Sequence, residues 1–290
     1  MFTSSMFQSI KSALAKSETQ NSSYRDIMKL EIGKTYTVRL LPNVNNPAKS
    51  FFQYFMHGWT SFATGEFVQA LSLQTFGERD PISEERYKIL RLGNEEDKKK
   101  AETVTRGEKW LVNAYVIDDP TNPDNNGTIK ILRYGRQLAK IIDQAVNGDD
   151  ADEFGPRIFD LSKEGCNLKI KVEKQQNFPT YVSSRFTSPS DLGLSESKIN
   201  EIYGKVHDLE RAVSSRSYDE LVEMWQEHFL CKSAPAAVGA AAVKSVATAA
   251  PVAASVAAQP ELLPNNSDSD DGDDDILDDE TVQELLKGLE

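Results

Sequence analysis

The chain has 290 residues, of which 39% are hydrophobic and 9% aromatic, so it has enough apolar side chains for one substantial core. Its two cysteines give no disulfide framework, and no apolar run approaches the length of a membrane span or a signal-peptide core. We therefore expect a globular protein of a reducing cytoplasm with no membrane partner.

The formal charge of −12 comes from 33 Lys and Arg against 45 Asp and Glu, and it is concentrated towards one end. Residues 260–290 hold twelve acidic residues and one lysine, and residues 233–259 hold one further lysine. Without these two segments 31 basic and 33 acidic residues remain, so residues 1–232 are close to neutral. The overall acidity therefore does not exclude a nucleic acid as partner of this part.

Residues 1–23 are predicted to form an arm. Phe7, Ile10 and Leu14 lie at helical spacing beside Lys11, and a polar stretch follows. A frayed terminus and a mitochondrial-type presequence are the alternatives; the apolar stripe weakens the first, and the lack of arginine weakens the second. We expect an arm with its own apolar face to dock on another surface.

From Tyr36 the sequence alternates with period two, which predicts β-strands. Tyr36, Val38 and Leu40 would share one face of the first strand. The other predicted strands are residues 51–57, 66–70, 110–117, 128–134 and 167–174. Turn-forming residues between Asp118 and Gly127 predict a long hairpin.

Helical patterns lie at residues 83–90, 135–146, 195–213 and 217–230, the last beginning with a capping-box pair, Ser217 and Glu220. Strands come first, one helix lies between two of them, and helices follow at the end. This order predicts an α+β fold built on a small closed or partly open β-barrel within residues 24–232, rather than βαβ repeats.

An Ala/Val/Pro linker, residues 233–259, leads to the acidic tail, residues 260–290, which is predicted to be disordered. Near its end a capping box, residues 281–284, accompanies apolar residues at helical spacing. A solubilising tail is the alternative, but it needs no apolar stripe, so we expect a helix that forms in a partner's groove. Its partner-binding residues would be Ile276, Leu277, Val282, Leu285, Leu286 and Leu289.

The sequence offers little that resembles a catalytic motif. It has three histidines and shows no G-x-S-x-G elbow, no Walker loop and no H-E-x-x-H helix. We therefore predict that the protein is not an enzyme and has no cofactor.

Basic and aromatic residues alternate on three strand-like stretches, and this combination is typical of surfaces that grip single-stranded nucleic acid. Taken singly, each stretch also fits a solvated strand face with core aromatics. The candidate nucleic-acid-binding residues are Arg106, Lys109, Trp110, Arg133, Tyr134, Arg136, Lys169, Lys171, Lys174, Phe178, Tyr181, Arg185 and Phe186.

In the order and spacing of these residues the chain resembles the single-stranded DNA-binding proteins (helix-destabilising, gene-32 type) of T-even-like bacteriophages. The resemblance covers nearly the whole chain and rests on residues 38–42, 110–136, 167–186, 218–229 and the Asp- and Leu-rich end. It implies an OB-fold core with C-terminal helices that binds single-stranded DNA with little sequence preference. Its cleft positions match Arg106, Trp110, Arg133, Tyr134, Arg136, Lys171, Phe178, Tyr181 and Phe186.

The resemblance also implies roles for the terminal segments. The arm, through Phe7, Ile10, Lys11 and Leu14, would contact neighbouring protomers on DNA, although the family's short basic motif is not intact here. The tail would recruit the phage polymerase, the helicase loader and recombination proteins. The implied function is cooperative coating of single-stranded DNA during replication, recombination and repair, in the cytoplasm of the infected bacterial host.

One departure from the family concerns a small subdomain at residues 57–101. The family binds zinc there through one histidine and three cysteines, whereas this chain keeps His57 but has Ser72, Ile82 and Glu85 at the cysteine positions. Because tetrahedral zinc takes four such ligands, we predict no structural zinc. Apolar residues would hold the subdomain instead, namely Leu71, Leu73, Phe76, Ile82, Tyr87 and Leu90.

Two alternatives from other classes stay open at this point. An acidic-tailed adaptor would bind only proteins through an OB-like core. A nuclease would use body carboxylates with a metal ion, but the sequence offers no convergent acidic motif for it.

Overall fold

The computed structural model describes residues 26–176 and 178–232. The predicted arm, the linker and the acidic tail with its apolar stripe therefore lie outside the described residues. Within the described part the fold is α+β, as predicted, and its main sheet is antiparallel throughout.

The described strands form one sheet of seven strands and a separate hairpin. Their bounds are Thr35–Leu41 (β1), Phe51–Thr60 (β2), Phe67–Leu71 (β3), Thr105–Asp118 (β4), Ile129–Tyr134 (β5), Leu168–Lys171 (β6), Glu173–Gln175 (β7), Phe178–Thr180 (β8) and Arg185–Phe186 (β9). The sheet runs in the order β3-β2-β4-β1-β6-β9, with β5 beside β4, and β7 pairs with β8.

The long strand β4 organises this sheet. Its first part, residues 105–112, pairs with β2, and its second part, residues 113–118, pairs with β1. Strand β5 pairs with residues 110–115 on the opposite edge. Strands β1 and β2 therefore follow one another along the same edge of β4, with the loop 42–50 between them, and the predicted hairpin joins β4 to β5.

The described helices are Pro81–Leu92 (α1), Glu95–Glu102 (α2), Arg136–Asn147 (α3), Glu196–Tyr203 (α4) and Tyr218–His228 (α5). The Ser217–Glu220 capping box at the start of α5 is present as predicted. The prediction of a helix over residues 195–213 was wrong beyond Tyr203. There the buried Asn113 side chain hydrogen-bonds to the backbone N–H and C=O of His207, both at 2.9 Å, and holds an irregular segment across the sheet.

The largest apolar cluster lies between one face of the sheet and α3, and includes Val38, Leu40, Val112, Leu132 and Leu138. A second cluster joins residues 59–104 to α5, with Trp59, Leu73, Ile82, Val104, Leu221 and Trp225 at its centre. The set of apolar residues predicted for the subdomain was partly wrong: Leu71 packs in a different cluster, and Phe76 is 44% exposed. Among the described helices none has the length and apolar character needed to cross a bilayer.

Candidate nucleic-acid interface

One face of β4 brings several of the predicted residues together. Side chains of a strand alternate between its two faces, so Arg106, Glu108 and Trp110 share one face. The register places His57, Phe55 and Gln53 of β2 opposite them in that order, and places Tyr134 of β5 opposite Trp110. We call the surface formed by Gln53, Phe55, Arg106, Glu108, Trp110 and Tyr134 the β2–β4 face.

Trp110 and Tyr134 form an aromatic pair on the β2–β4 face. Their ring centroids lie 6.1 Å apart, and the ring planes are inclined by 18°. Tyr134 is 5% exposed, and its burial raises the pKa of the phenol, whereas Trp110 is half-buried. Trp110 therefore presents part of its ring to solvent while Tyr134 supports it from the core.

Arg106 is held on the same face by two contacts. Its guanidinium carbon lies 4.9 Å from the centroid of the Phe55 ring, a cation–π arrangement. Its Nη1 donates a hydrogen bond to Oε1 of Gln74, in the short 3-10 turn Leu73–Phe76 that follows β3. These contacts orient a half-buried cation beside an aromatic ring.

A carboxylate also lies on the β2–β4 face. Glu108 accepts hydrogen bonds from Arg136 Nε, the first residue of α3, and from Gln53 Nε2, both at 3.4 Å. Glu108 and Arg136 side chains are 25% and 29% exposed. A partly neutralised cation, Arg136, therefore reaches the face at Glu108, two residues along β4 from Arg106.

A second group of predicted residues lies on β6 and β9. Lys169 and Lys171 are exposed, while Leu168 and Ile170 alternate with them and are buried. Lys169 pairs with the exposed Arg185 of β9. Lys171 forms an ion pair with Glu173 at 2.6 Å.

The hairpin β7–β8 carries an exposed cation and an exposed ring, Lys174 and Phe178, and Phe178 is 39% exposed. The two remaining predicted aromatics, Tyr181 and Phe186, are 8% and 6% exposed. The backbone N–H of Tyr181 donates to Gln137 Oε1 of α3 at 2.7 Å, which ties the end of the hairpin to that helix. In this structure Tyr181 and Phe186 present little ring surface to a base.

Lys109 and Arg133 lie on the opposite side of the sheet from Arg106 and Trp110. Lys109 is directly opposite Tyr54, and Arg133 is directly opposite Leu111. Tyr54 and Leu111 belong to a separate apolar cluster. Alternation along β4 and β5 therefore separates these two cations from the β2–β4 face.

Sequence reasoning missed three residues of this interface: Gln53, Phe55 and Gln74. Gln53 and Phe55 lie in a predicted strand at alternate positions, which was the available signal. Their place opposite Trp110 and Glu108 depends on the β2–β4 register, which local alternation does not specify.

The residues expected at the positions of the family's zinc ligands are His57, Ser72, Ile82 and Glu85. Ile82 is fully buried in the second apolar cluster, and Glu85 pairs with Lys88 at 2.7 Å on the helix surface. His57 Nε2 lies 3.0 Å from an oxygen of Asp80. Across the described part of the chain, no three His, Cys, Asp or Glu side chains are grouped as metal ligands would be.

The family comparison gives the class of the protein, a DNA-binding protein. A family model described as "gp32 DNA binding protein like" matches residues 33–229, and the chain belongs to this family. The family is non-enzymatic, as the sequence predicted.

Two curated relatives are each named "Single-stranded DNA-binding protein". The protein of Enterobacteria phage T4 is 26% identical over 191 residues, which cover 63% of this chain and 62% of that protein. The protein of Enterobacteria phage T2 is 26% identical over 220 residues, which cover 74% of this chain and 71% of that protein. The chain thus matches just under two thirds of the length of the phage T4 protein.

Proposed function

We propose that this protein is a phage single-stranded DNA-binding protein whose sheet is an OB-fold and whose β2–β4 face binds the strand. The observation that carries the proposal is the position of Arg106, stacked on Phe55, on the same face as the partly exposed ring of Trp110. Single strands are gripped by cations along their phosphates and by aromatic faces under their bases. This face offers both within a few residues of one strand.

The hairpin β7–β8 extends the proposed binding surface. Phe178 is exposed and supplies a second stacking platform on the face that it shares with Gln175. Lys174, which pairs with Pro179, lies on the other face of the hairpin and adds positive charge there. The hairpin is attached to α3 through Tyr181 and Gln137, and α3 begins with Arg136, which reaches the β2–β4 face. The two parts of the surface are therefore joined by one helix. Lys169, Lys171 and Arg185 would contribute general electrostatic attraction.

In this proposal the N-terminal arm and the acidic tail have different roles. Phe7, Ile10, Lys11 and Leu14 contact a neighbouring protomer on DNA, so that the protein coats single strands cooperatively. The tail, residues 260–290, covers the proposed DNA-binding surface at low salt and is displaced by DNA. It then recruits polymerase, helicase-loading and recombination partners through its apolar stripe, in the cytoplasm of the infected host. These roles place the protein in DNA replication, recombination and repair.

Deletion of residues 260–290 tests the role of the tail. Because twelve acidic residues are removed, DNA binding at low salt is expected to tighten, and the difference should shrink as salt screens the charges. Unchanged or weaker binding would leave the tail with recruitment only. Deletion of residues 276–290 removes the apolar stripe and is expected to abolish partner binding.

The central experiment is a fluorescence titration of the intact protein with oligo-dT, with and without magnesium, followed by a check of the oligonucleotide's length. If about four phosphates are contacted, the logarithm of affinity falls with the logarithm of salt concentration with a slope near −3. A salt-independent affinity contradicts the proposal. Absence of binding favours a protein-only adaptor, and shortening of the oligonucleotide in magnesium favours a nuclease.

A further inference from the structure

The carboxylate of Asp80 is the centre of a buried hydrogen-bond junction. Asp80 is 1% exposed and accepts from His57 Nε2 at 3.0 Å, Ser72 Oγ at 2.7 Å, Leu73 N at 2.8 Å and Ser83 N at 2.8 Å. His57 and Ser72 are equally buried. Each carboxylate oxygen thus receives two donors, close to the full accepting capacity of the group.

The four donors come from three segments of the subdomain. His57 lies in β2, Ser72 and Leu73 follow β3, and Ser83 is in the first turn of α1, where Asp80 is the N-cap. Burial alone would raise the pKa of Asp80, but hydrogen bonding and attraction from His57, with the bonds from Ser83 and Ser72, lower it well below its usual range. One ionised side chain therefore cross-links three segments.

This junction borders directly on the β2–β4 face. His57 is directly opposite Arg106 in the pairing of β2 with β4. Leu73, which donates its N–H to Asp80, begins the 3-10 turn that carries Gln74, the acceptor for Arg106. Thr75 in the same turn accepts from the backbone N–H of Phe55 at 3.0 Å, and Phe55 carries the ring under Arg106.

We propose that Asp80 is a positioning residue for DNA binding, and that its junction with His57, Ser72, Leu73 and Ser83 takes the structural place that zinc has in the family that the chain resembles. The inference rests on the proposed DNA-binding function. Asp80 acts through the turn Leu73–Phe76, which sets Gln74 and hence Arg106. Zinc does not fit this junction, because His57 would be its one imidazole ligand and the positions expected for the family's cysteines offer no thiolate. The Nε2 of His57 is bonded to Asp80, and its buried Nδ1, which has no hydrogen-bond partner among the described residues, would be a single ligand where zinc takes four.

Metal analysis tests the first half of the proposal. Elemental analysis of the full-length protein, purified without chelator, is expected to give less than about 0.1 zinc per chain, and a strong chelator should change neither the melting temperature nor the affinity for oligo-dT. About one zinc per chain, or a loss of stability on chelation, would contradict the proposal that the Asp80 junction stands in place of zinc.

The second half is tested with Asp80→Asn, which keeps the size of the side chain and removes its charge and one acceptor. We expect oligo-dT affinity to fall roughly tenfold, with a salt slope smaller in magnitude by about 0.7, because Arg106 is no longer held in place. The matched control is Asp119→Asn. Asp119 is also 1% exposed and accepts from Thr121, Asn122 and Asn125, but in the loop between β4 and β5. The control should lose stability and keep affinity within about twofold.

A double-mutant cycle separates positioning from general destabilisation. In an Arg106→Gln background, Asp80→Asn is expected to reduce affinity by less than about twofold further, whereas independent effects would multiply and overturn the proposal. If Asp80→Asn does not fold, Ser72→Ala removes one donor of the junction and enters the same cycle. Failure of the wild-type protein to bind oligo-dT counts against the proposed function; normal binding with an unaffected Asp80→Asn variant counts against this inference alone.

Discussion

Trp110 of β4 stacks on Tyr134 of β5, with 6.1 Å between the ring centroids and 18° between the ring planes. The pair differs in exposure, since Tyr134 is buried and Trp110 is half-buried. The sequence contains three tryptophans, and the other two, Trp59 and Trp225, are 1% and 2% exposed in the second apolar cluster. Trp110 is therefore the tryptophan whose emission should respond to a ligand on the β2–β4 face.

Replacing Trp110 by Phe is expected to remove the fluorescence change that oligo-dT causes. The phenylalanine ring should keep part of the stacking on a base. Trp110→Ala should lose about 1–3 kcal/mol of binding free energy, the usual worth of one stacked base. The measurement is a fluorescence titration for Trp110→Phe and an anisotropy titration with labelled oligo-dT for Trp110→Ala. Trp225→Phe is the control and should keep the DNA-induced change; if the change disappears there instead, DNA does not contact Trp110.

Phe178→Ala is expected to weaken binding of oligo-dT by about 1–3 kcal/mol without loss of thermal stability, because the ring is 39% exposed on the hairpin β7–β8. Val182→Ala is the matched control, since Val182 is 65% exposed and follows the same hairpin. It should bind as the wild type does. Equal affinities of the two variants would argue against stacking of a base on the hairpin.

Arg106→Gln and Arg133→Gln are expected to differ in the salt dependence of binding. Loss of one phosphate contact reduces the magnitude of the slope by about 0.7, and Arg106 lies on the β2–β4 face whereas Arg133 lies on the other side of the sheet. Both variants change the net charge by the same amount. Titrations with oligo-dT at several salt concentrations measure the slopes, and a reduced slope for Arg133→Gln alone would place the strand on the opposite side.

Glu108→Gln is expected to tighten DNA binding by severalfold at low salt. Its carboxylate pairs with Arg136 and repels phosphates that approach Arg106 on the same face, so its removal strengthens the local attraction. Glu196→Gln, on the exposed start of α4, controls for the change in net charge. Weaker binding by Glu108→Gln would mean instead that the carboxylate is needed to orient Arg136.

Arg39→Met is expected to destabilise the protein by about 3–5 kcal/mol, because the fully buried guanidinium binds several groups that would lose their donor. It donates to Asn167 Oδ1, to the carbonyl oxygens of Asp160, Ser162 and Ser190, and to Ser190 Oγ, and burial lowers its pKa. Urea unfolding measures the effect. Arg157→Met, at an exposed position, should cost less than about 0.5 kcal/mol. A similar small cost for Arg39→Met would show that these groups find other partners.

Strands β1, β3 and β5 were predicted close to their observed bounds because alternation is a local signal with period two. Strand β2 was predicted three residues too short at its end, and β4 five residues too short at its start. Helix α2 was missed for the opposite reason: Glu95–Glu102 consists almost entirely of charged residues, has no apolar stripe, and is held by the Asn94 cap and contacts with α1. The end of α4 at Tyr203 was also not predictable, since Asn113, distant in sequence, holds the segment that follows.

The residue types, their alternation and their charge distribution by themselves determined the α+β class and the near-neutral charge of residues 1–232. They also determined which basic and aromatic residues were candidates for binding DNA. Tertiary structure decided which candidates act together. Strand register separates Lys109 from Arg106, packing against α3 and the core buries Tyr181 and Phe186, and the fold brings Asp80 to His57 across 23 residues of chain. These outcomes depend on contacts between distant segments, whose free energy is gained only when the segments meet, and so no local pattern encodes them.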